Sequence, residues 1–229
     1  MNGYRLLVFD WDGTLMDSQA RIVGCFQAAA ADLGVAVPDA DRARDVIGLG
    51  LREATERLFP GLDDATIGGV VERYRHHFLG DHPTPSVLFP GVVETLDGLA
   101  DAGYLLGIAT GKSRRGLDKV LGETGLGRLF HASRCADEAF SKPHPQMLEE
   151  VMAVLGARPA ETLMIGDTEY DMQMARNAGV PALAVSYGVH PPSRLLAEGA
   201  LGCLDRIADL PRWLAGRRDH VRSLEEFLP

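Results

Sequence analysis

The stretch Leu6-Leu7-Val8-Phe9-Asp10-Trp11-Asp12-Gly13-Thr14-Leu15 is an apolar run that stops abruptly at two carboxylates separated by a single residue. An unbroken apolar run suits a parallel strand buried on both faces. In open α/β sheets the reactive crevice lies outside the carboxyl ends of such strands, so the stretch predicts a buried strand that delivers acid groups near Asp10. Gly13 and Thr14 suit a sharp turn, because glycine tolerates positive φ and a threonine hydroxyl can satisfy nearby backbone groups. Taken alone, an Asp-x-Asp-Gly turn reads equally well as a solvated strand end.

Outward from this strand the pattern changes twice. Asp17-Ser18 reads as a helix start, and Ile22, Val23, Phe26, Ala30 and Leu33 follow at spacings that suit one helical face, with Gly34 as the stop. Further helices are expected over 40–47, 51–58 and 64–79, the last with Ile67, Val70, Val71, Tyr74 and Phe78 as its apolar stripe. No strand-like alternation interrupts residues 16–82, which read as an all-helical insertion ended by the link His82-Pro83-Thr84-Pro85. From Pro90 onward helices (92–102, 114–124, 145–155, 170–178, 192–198, 208–215) alternate with strands (104–110, 129–133, 163–166, 182–186, 202–204), which implies a parallel sheet. The expected organisation is an α/β core made of 1–15 and 83–229, with 16–82 inserted and 217–229 as a loosely attached tail.

Composition excludes several classes. With 46% hydrophobic and 24% charged residues in 229, the chain reads as a folded globular protein. No apolar run approaches a membrane span, and Asp10 and Asp12 interrupt what would be the apolar region of a signal peptide, so a cytoplasmic location is expected. Cys25, Cys135 and Cys203 are odd in number and widely spaced, which argues against a disulfide framework or a Cys-x-x-Cys site. A net charge of −9 argues against nucleic acid as a partner, yet leaves room for a phosphorylated metabolite at a locally positive site. The chain has three lysines, Lys112, Lys119 and Lys142, and twenty arginines.

Three later stretches bear on Asp10: Gly107-Ile108-Ala109-Thr110-Gly111-Lys112, Ser141-Lys142-Pro143, and Met164-Ile165-Gly166-Asp167-Thr168-Glu169-Tyr170-Asp171. Thr110 and Asp167, like Asp10, sit just past an apolar strand, so a parallel sheet would gather them on one edge. Lys142, in a loop before a helix, can reach the same crevice. Together with Asp10-Trp11-Asp12-Gly13-Thr14, the ordered set resembles the four-motif pattern of the haloacid dehalogenase-like hydrolase superfamily, and nearly the whole chain is similar to its phosphoglycolate phosphatase-like branch. That resemblance implies a Rossmann-like parallel-sheet core with an inserted helical cap.

A carboxylate attacks phosphorus only when the phosphate charge is neutralised and the line of attack is held. The resemblance assigns Asp10 the role of nucleophile through an aspartyl-phosphate, and Asp12 that of the acid–base which protonates the leaving alkoxide and later activates water. Magnesium takes oxygen ligands; Asp10 and Asp167 are the expected carboxylates, with the backbone carbonyl of Asp12 implied as a third. Asp171 either holds a metal-bound water or favours a helix amino terminus, and Glu169 reads as a solvated surface residue. Thr110, with the backbone amide of Gly111, and Lys142 are expected to bind phosphate oxygens. Lys112 can approach substrate, cap the entrance or be solvated. Two other patterns carry nothing: residues 107–113 have three residues between their glycines where a P-loop needs four, and His76 and His77 are adjacent and diverge on a helix.

The insertion resembles the family's movable cap, which would exclude water and select the leaving group. Within Ile47-Gly48-Leu49-Gly50-Leu51-Arg52-Glu53, Arg52 is expected either to face an anionic group of the substrate or to pair with Glu56. Asp12 argues against a dehalogenase, and the lack of any lysine before position 112 argues against a phosphonatase that works through a cap lysine. The function implied is magnesium-dependent hydrolysis of a small phosphate monoester, with 2-phosphoglycolate leading, by a monomer or homodimer. The alternatives are a phosphosugar mutase on the same core and a non-catalytic phosphometabolite-binding protein.

Overall fold

Leu6–Phe9 is buried at every position and forms β1, the strand against which the rest of the sheet is laid. The computed structural model describes residues 3–80 and 84–216, so the expected tail over 217–229 lies outside the described residues. After β1 come β2 (Met16–Asp17), α1 (Gln19–Asp32), α2 (Ala40–Asp45), α3 (Leu51–Leu58), α4 (Asp64–Leu79) and β3 (Val87–Leu88). They are followed by α5 (Val92–Asp101), β4 (Leu105–Thr110), α6 (Arg114–Thr124), β5 (Ala132–Cys135), α7 (Gln146–Leu155), β6 (Thr162–Gly166), α8 (Glu169–Asn177), β7 (Ala182–Val185), α9 (Pro192–Ala197) and β8 (Cys203–Leu204).

The large sheet has the order β5-β4-β1-β6-β7-β8, with every pairing parallel. Side chains on a strand alternate between faces, and this divides the interior into two layers. Leu7, Phe9, Leu106, Ile108 and Ile165 pack on one face with α5 and α6, while Leu6, Val8 and Met164 pack on the other with α7 and α8. Each such fully buried side chain contributes roughly 1.5–3 kcal/mol. Because both faces are covered, β1 carries no polar residue until its carboxyl end.

Register then decides the site. Phe9 lies opposite Ile108 of β4 and Ile165 of β6. Asp10 therefore emerges one residue past the paired segment, flanked by Thr110 and Asp167, each two residues past the partner of Phe9.

The helices α1–α4 bury a separate apolar cluster that includes Ile22, Phe26, Ile47, Leu58 and Val70. Two expectations are corrected here. Residues 16–82 are not purely helical, because Met16–Asp17 pairs antiparallel with Val87–Leu88, and the insertion leaves and re-enters the core through this two-stranded ribbon. Two residues are too few to show an alternating pattern. The strand expected over 129–133 is displaced to Ala132–Cys135, since Leu126–Leu129 closes a 3₁₀ turn whose apolar side chains face inward as strand residues would.

Candidate active site

Four buried charged groups meet past the ends of β1 and β6. The Lys142 ammonium lies 3.0 Å from Asp10 Oδ1 and donates to Asp171 Oδ1 at 2.6 Å, with both of its partners essentially inaccessible to solvent. One oxygen from each of Asp10, Asp167 and Asp171 falls within 4.8 Å of the others. Asp10 Oδ1 also accepts from the Trp11 amide at 2.7 Å, whereas the buried Oδ2 has no hydrogen-bond partner among the described residues. A buried carboxylate oxygen without a donor is costly, and a hard cation among three carboxylates would satisfy it. The residues present therefore fit a magnesium ion.

Asp167 is fixed from both sides, accepting from Thr14 Oγ1 at 2.7 Å and from the Val189 amide at 2.8 Å. Gly13 makes this approach feasible: its φ is +85°, and a Cβ there would fall on the Asp167 carboxylate. Asp171 accepts from the amide and the hydroxyl of Thr168 in a capping box at the start of α8, so it serves the helix terminus and holds Lys142 as well.

The electrostatics follow from the crowding. Burial raises the Asp10 carboxyl to about 7, against the pull of Lys142 and with the help of Asp171 and Asp12. Burial likewise pushes Asp167 well above the usual carboxylate range, reinforced by the charges of Asp171 and Asp10. Burial alone would lower the Lys142 ammonium, but Asp10 and Asp171 outweigh it and hold the group charged. Ionised together, the three acids around one cation would leave an uncompensated negative charge, which a bound cation would offset.

Asp12 points elsewhere. Its two oxygens accept from Lys112 Nζ, each at 2.8 Å, and Oδ1 also accepts from Ser18 Oγ at 2.5 Å. Lys112 is buried, with its ammonium 4.4 Å from the ring centre of Phe78 on α4. Of the three fates expected for Lys112, solvation is thus ruled out, and the residue spans from Asp12 to the helical insertion. Thr110 is fully buried, and its hydroxyl accepts from the Lys112 amide at 3.2 Å.

The insertion lies over this edge. The Gly50 amide donates to Ser141 Oγ at 2.7 Å, and the carbonyls of Gly48 and Leu49 approach Gly111 so closely that a Cβ there would collide with them. A cavity of about 310 Å³ remains between the two parts, bordered by Asp10, Asp12, Thr110, Gly111 and Lys112 from the core. Arg52 lines it too, but its guanidinium is taken by Glu56 and Asp64 and is half exposed. The arrangement matches the pairing alternative, extended by Asp64 at the start of α4.

The expectation for Glu169 is corrected: it is mostly buried and bound by Arg194, which also binds Asp45 of α2. Tyr170 Oη donates to the Asp45 carbonyl, and burial holds the neighbouring His190 below the usual imidazole range. This clasp between insertion and core had no sequence signal, since its members lie up to 149 residues apart. Thr14 and Ser18 as carboxylate partners were missed because each reads as a turn or cap residue: the acceptor of Thr14 is the distant Asp167, and that of Ser18 is Asp12, six residues back across the β2 turn.

The model of the haloacid dehalogenase-like hydrolase family matches residues 7–185. The chain belongs to that family. Among its relatives, a Dickeya dadantii (strain 3937) protein named "Probable phosphatase IndB" is 37% identical over 209 residues, covering 90% of this chain and 91% of its own. The phosphoglycolate phosphatase of Agrobacterium fabrum (strain C58 / ATCC 33970) is 34% identical over 188 residues, covering 80% and 81%. A solved haloacid dehalogenase-like family hydrolase from Streptococcus pneumoniae superposes with a TM-score of 0.81 at 25% identity, over 93% of this chain and 99% of that one. This haloacid dehalogenase-like chain is accordingly a phosphoric monoester hydrolase, and among the described residues no helix is long and apolar enough to cross a membrane.

Proposed function

We propose that this protein hydrolyses small phosphate monoesters in a magnesium-dependent reaction through phosphorylation of Asp10. The observation that carries the reading is the buried contact of Lys142 with Asp10, beside an Asp10 oxygen that has no donor among the described residues and next to Asp167. Asp10 and Asp167, with the Asp12 carbonyl, would hold the cation, which supplies positive charge to the phosphate. The Asp10 carboxylate attacks phosphorus, the P–O bond to the alcohol breaks, and Asp12 gives its proton to the departing oxygen. In the second half Asp12 takes a proton from water, the water oxygen attacks the acyl phosphate, and inorganic phosphate leaves with Asp10 restored.

Lys142 compensates the charge that gathers on the phosphoryl oxygens, and the Thr110 hydroxyl with the Gly111 amide orients them. For the proton transfer, Asp12 exchanges the Ser18 hydroxyl on its Oδ1 for the ester oxygen and keeps Lys112. Asp171 acts through Lys142 by keeping its ammonium in place. The insertion acts as the cap, with β2 and β3 as its hinge, and the location is proposed to be cytoplasmic.

The test is release of inorganic phosphate from a generic ester and from 2-phosphoglycolate, the substrate in the name of the Agrobacterium relative, with and without Mg²⁺. Asp10→Asn is expected to reduce kcat by about a thousandfold or more. Undiminished turnover in a folded Asp10→Asn protein would exclude the phosphoenzyme route.

A further inference from the structure

The cavity over Asp10 and Asp12 has a wall of distinct chemistry where α1 and α4 of the insertion border it, with the Lys112 ammonium between Asp12 and the ring of Phe78. Tyr74 and Phe78 stand one turn apart on α4 with nearly parallel rings, 11° between planes and 5.7 Å between centres. Phe26 of α1 packs on Tyr74 at 4.6 Å, and all three rings border the cavity. Burial keeps the Tyr74 phenol uncharged. Aromatic faces of this kind favour a flat or ring-shaped apolar surface.

The cations around the cavity already have partners. Among the described residues its lining cations are Arg52, Arg75 and Lys112. Lys112 gives its ammonium to both oxygens of Asp12, Arg52 serves Glu56 and Asp64, and half-exposed Arg75 faces Glu72 at 3.5 Å. Glu53 and Asp137 add further negative charge to the lining. A second anionic group on a substrate would have to draw Lys112, Arg52 or Arg75 from its present carboxylate or stand unpaired near the rings, and desolvated unpaired charge is strongly unfavourable. The volume of about 310 Å³ lies at the lower end of small-molecule sites, enough for a phosphoryl group and a compact alcohol.

Building on the phosphatase reading above, we infer that the alcohol half of the substrate is an uncharged, ring-bearing group seated against Tyr74 and Phe78. Esters whose alcohol carries its own anion, 2-phosphoglycolate among them, rank below it. Tyr74 and Phe78 are thereby the specificity-determining residues on α4.

Four esters separate ring from charge: benzyl phosphate, 4-carboxybenzyl phosphate, ethyl phosphate and 2-phosphoglycolate, each assayed for phosphate release with Mg²⁺. The expected kcat/KM for benzyl phosphate exceeds that for ethyl phosphate by about ten- to hundredfold, and the added carboxylate removes most of that gain. Tyr74→Leu and Phe78→Leu, two milder substitutions tested separately, should each narrow the benzyl-to-ethyl ratio. Equal values for benzyl and ethyl phosphate, or the highest value for 2-phosphoglycolate, would overturn the inference while leaving the phosphatase reading intact. Calorimetric binding of benzylphosphonate against ethylphosphonate, with Mg²⁺ present, tests the same preference without turnover. If no ester is hydrolysed, tighter benzylphosphonate still supports the ring site and only the catalytic reading fails; equal affinities then overturn both.

Discussion

The carboxyl edge of the sheet and the inner face of the helical insertion enclose one cavity from opposite sides, and they are built on opposite principles. The edge packs Asp10, Asp167, Asp171 and Lys142 out of reach of solvent, the acids just past a strand or at the start of a helix and the lysine in the loop before α7. The insertion presents Phe26, Tyr74 and Phe78, and its polar ties to the core lie mostly at the margins, in Arg194 with Asp45 and in Gly50 with Ser141. Buried charge needs many fixed partners and so belongs on the rigid sheet. An apolar wall needs only shape, and can sit on a part joined to the core through two short strands.

The largest effect should come from unbalancing the edge. Lys142→Met leaves three buried acids without their cation, and is expected to cost about 3–5 kcal/mol of stability, read as a lowered urea midpoint. A midpoint unchanged from the parent protein would mean that the carboxylates are neutralised by something else, and the contrast between the two sides would weaken.

Next in size is the response to pH. Because burial raises Asp10 to about 7, its protonated form is favoured in the folded state, so its contribution is full below about pH 4. That contribution is lost as pH rises through about 7. Metal-free protein should accordingly lose stability between pH 5 and pH 8, and Mg²⁺ should restore it most at pH 8. Thermal melts across that range, with Mg²⁺ and with a chelator, give the answer; a chelated protein that gains stability on the way to pH 8 would contradict the sign.

On the insertion side the expected changes are smaller. Arg194→Met removes the clasp on Asp45 and Glu169, and should raise KM by roughly threefold to tenfold with kcat less affected. A fall in kcat with KM constant would instead tie the clasp to the chemistry at Asp167, through the neighbouring Val189 and His190. Smallest of all, Arg52→Ala should change stability by no more than about 0.5 kcal/mol and leave kcat/KM within about twofold, because its partners Glu56 and Asp64 are surface groups. A large KM increase for anionic esters alone would restore Arg52 as a substrate contact.

Much of this was legible beforehand. The run into Asp10, the strand before Thr110 and the strand before Asp167 each carry their own signal, and together with the loop lysine Lys142 they point to one edge. Elements of two residues were not legible: β2 and β3 are too short for a periodic pattern, and their pairing depends on a partner about seventy positions away. Nor could spacing tell that Asp12 is held by Lys112 and Ser18 while Asp171 holds Lys142.

From sequence alone came the α/β core, the helical insertion and the strand-end residues Asp10, Thr110 and Asp167, because apolar periodicity and strand-end placement are local properties, while Lys142 and Asp171 were singled out by the resemblance of their stretches to family motifs. Only the tertiary structure decided which charge faces which: Lys142 to Asp10 and Asp171, Lys112 to Asp12 and Phe78, Arg194 to Asp45. A long basic side chain can satisfy its charge on any acid within its reach, and reach is set by how distant segments pack.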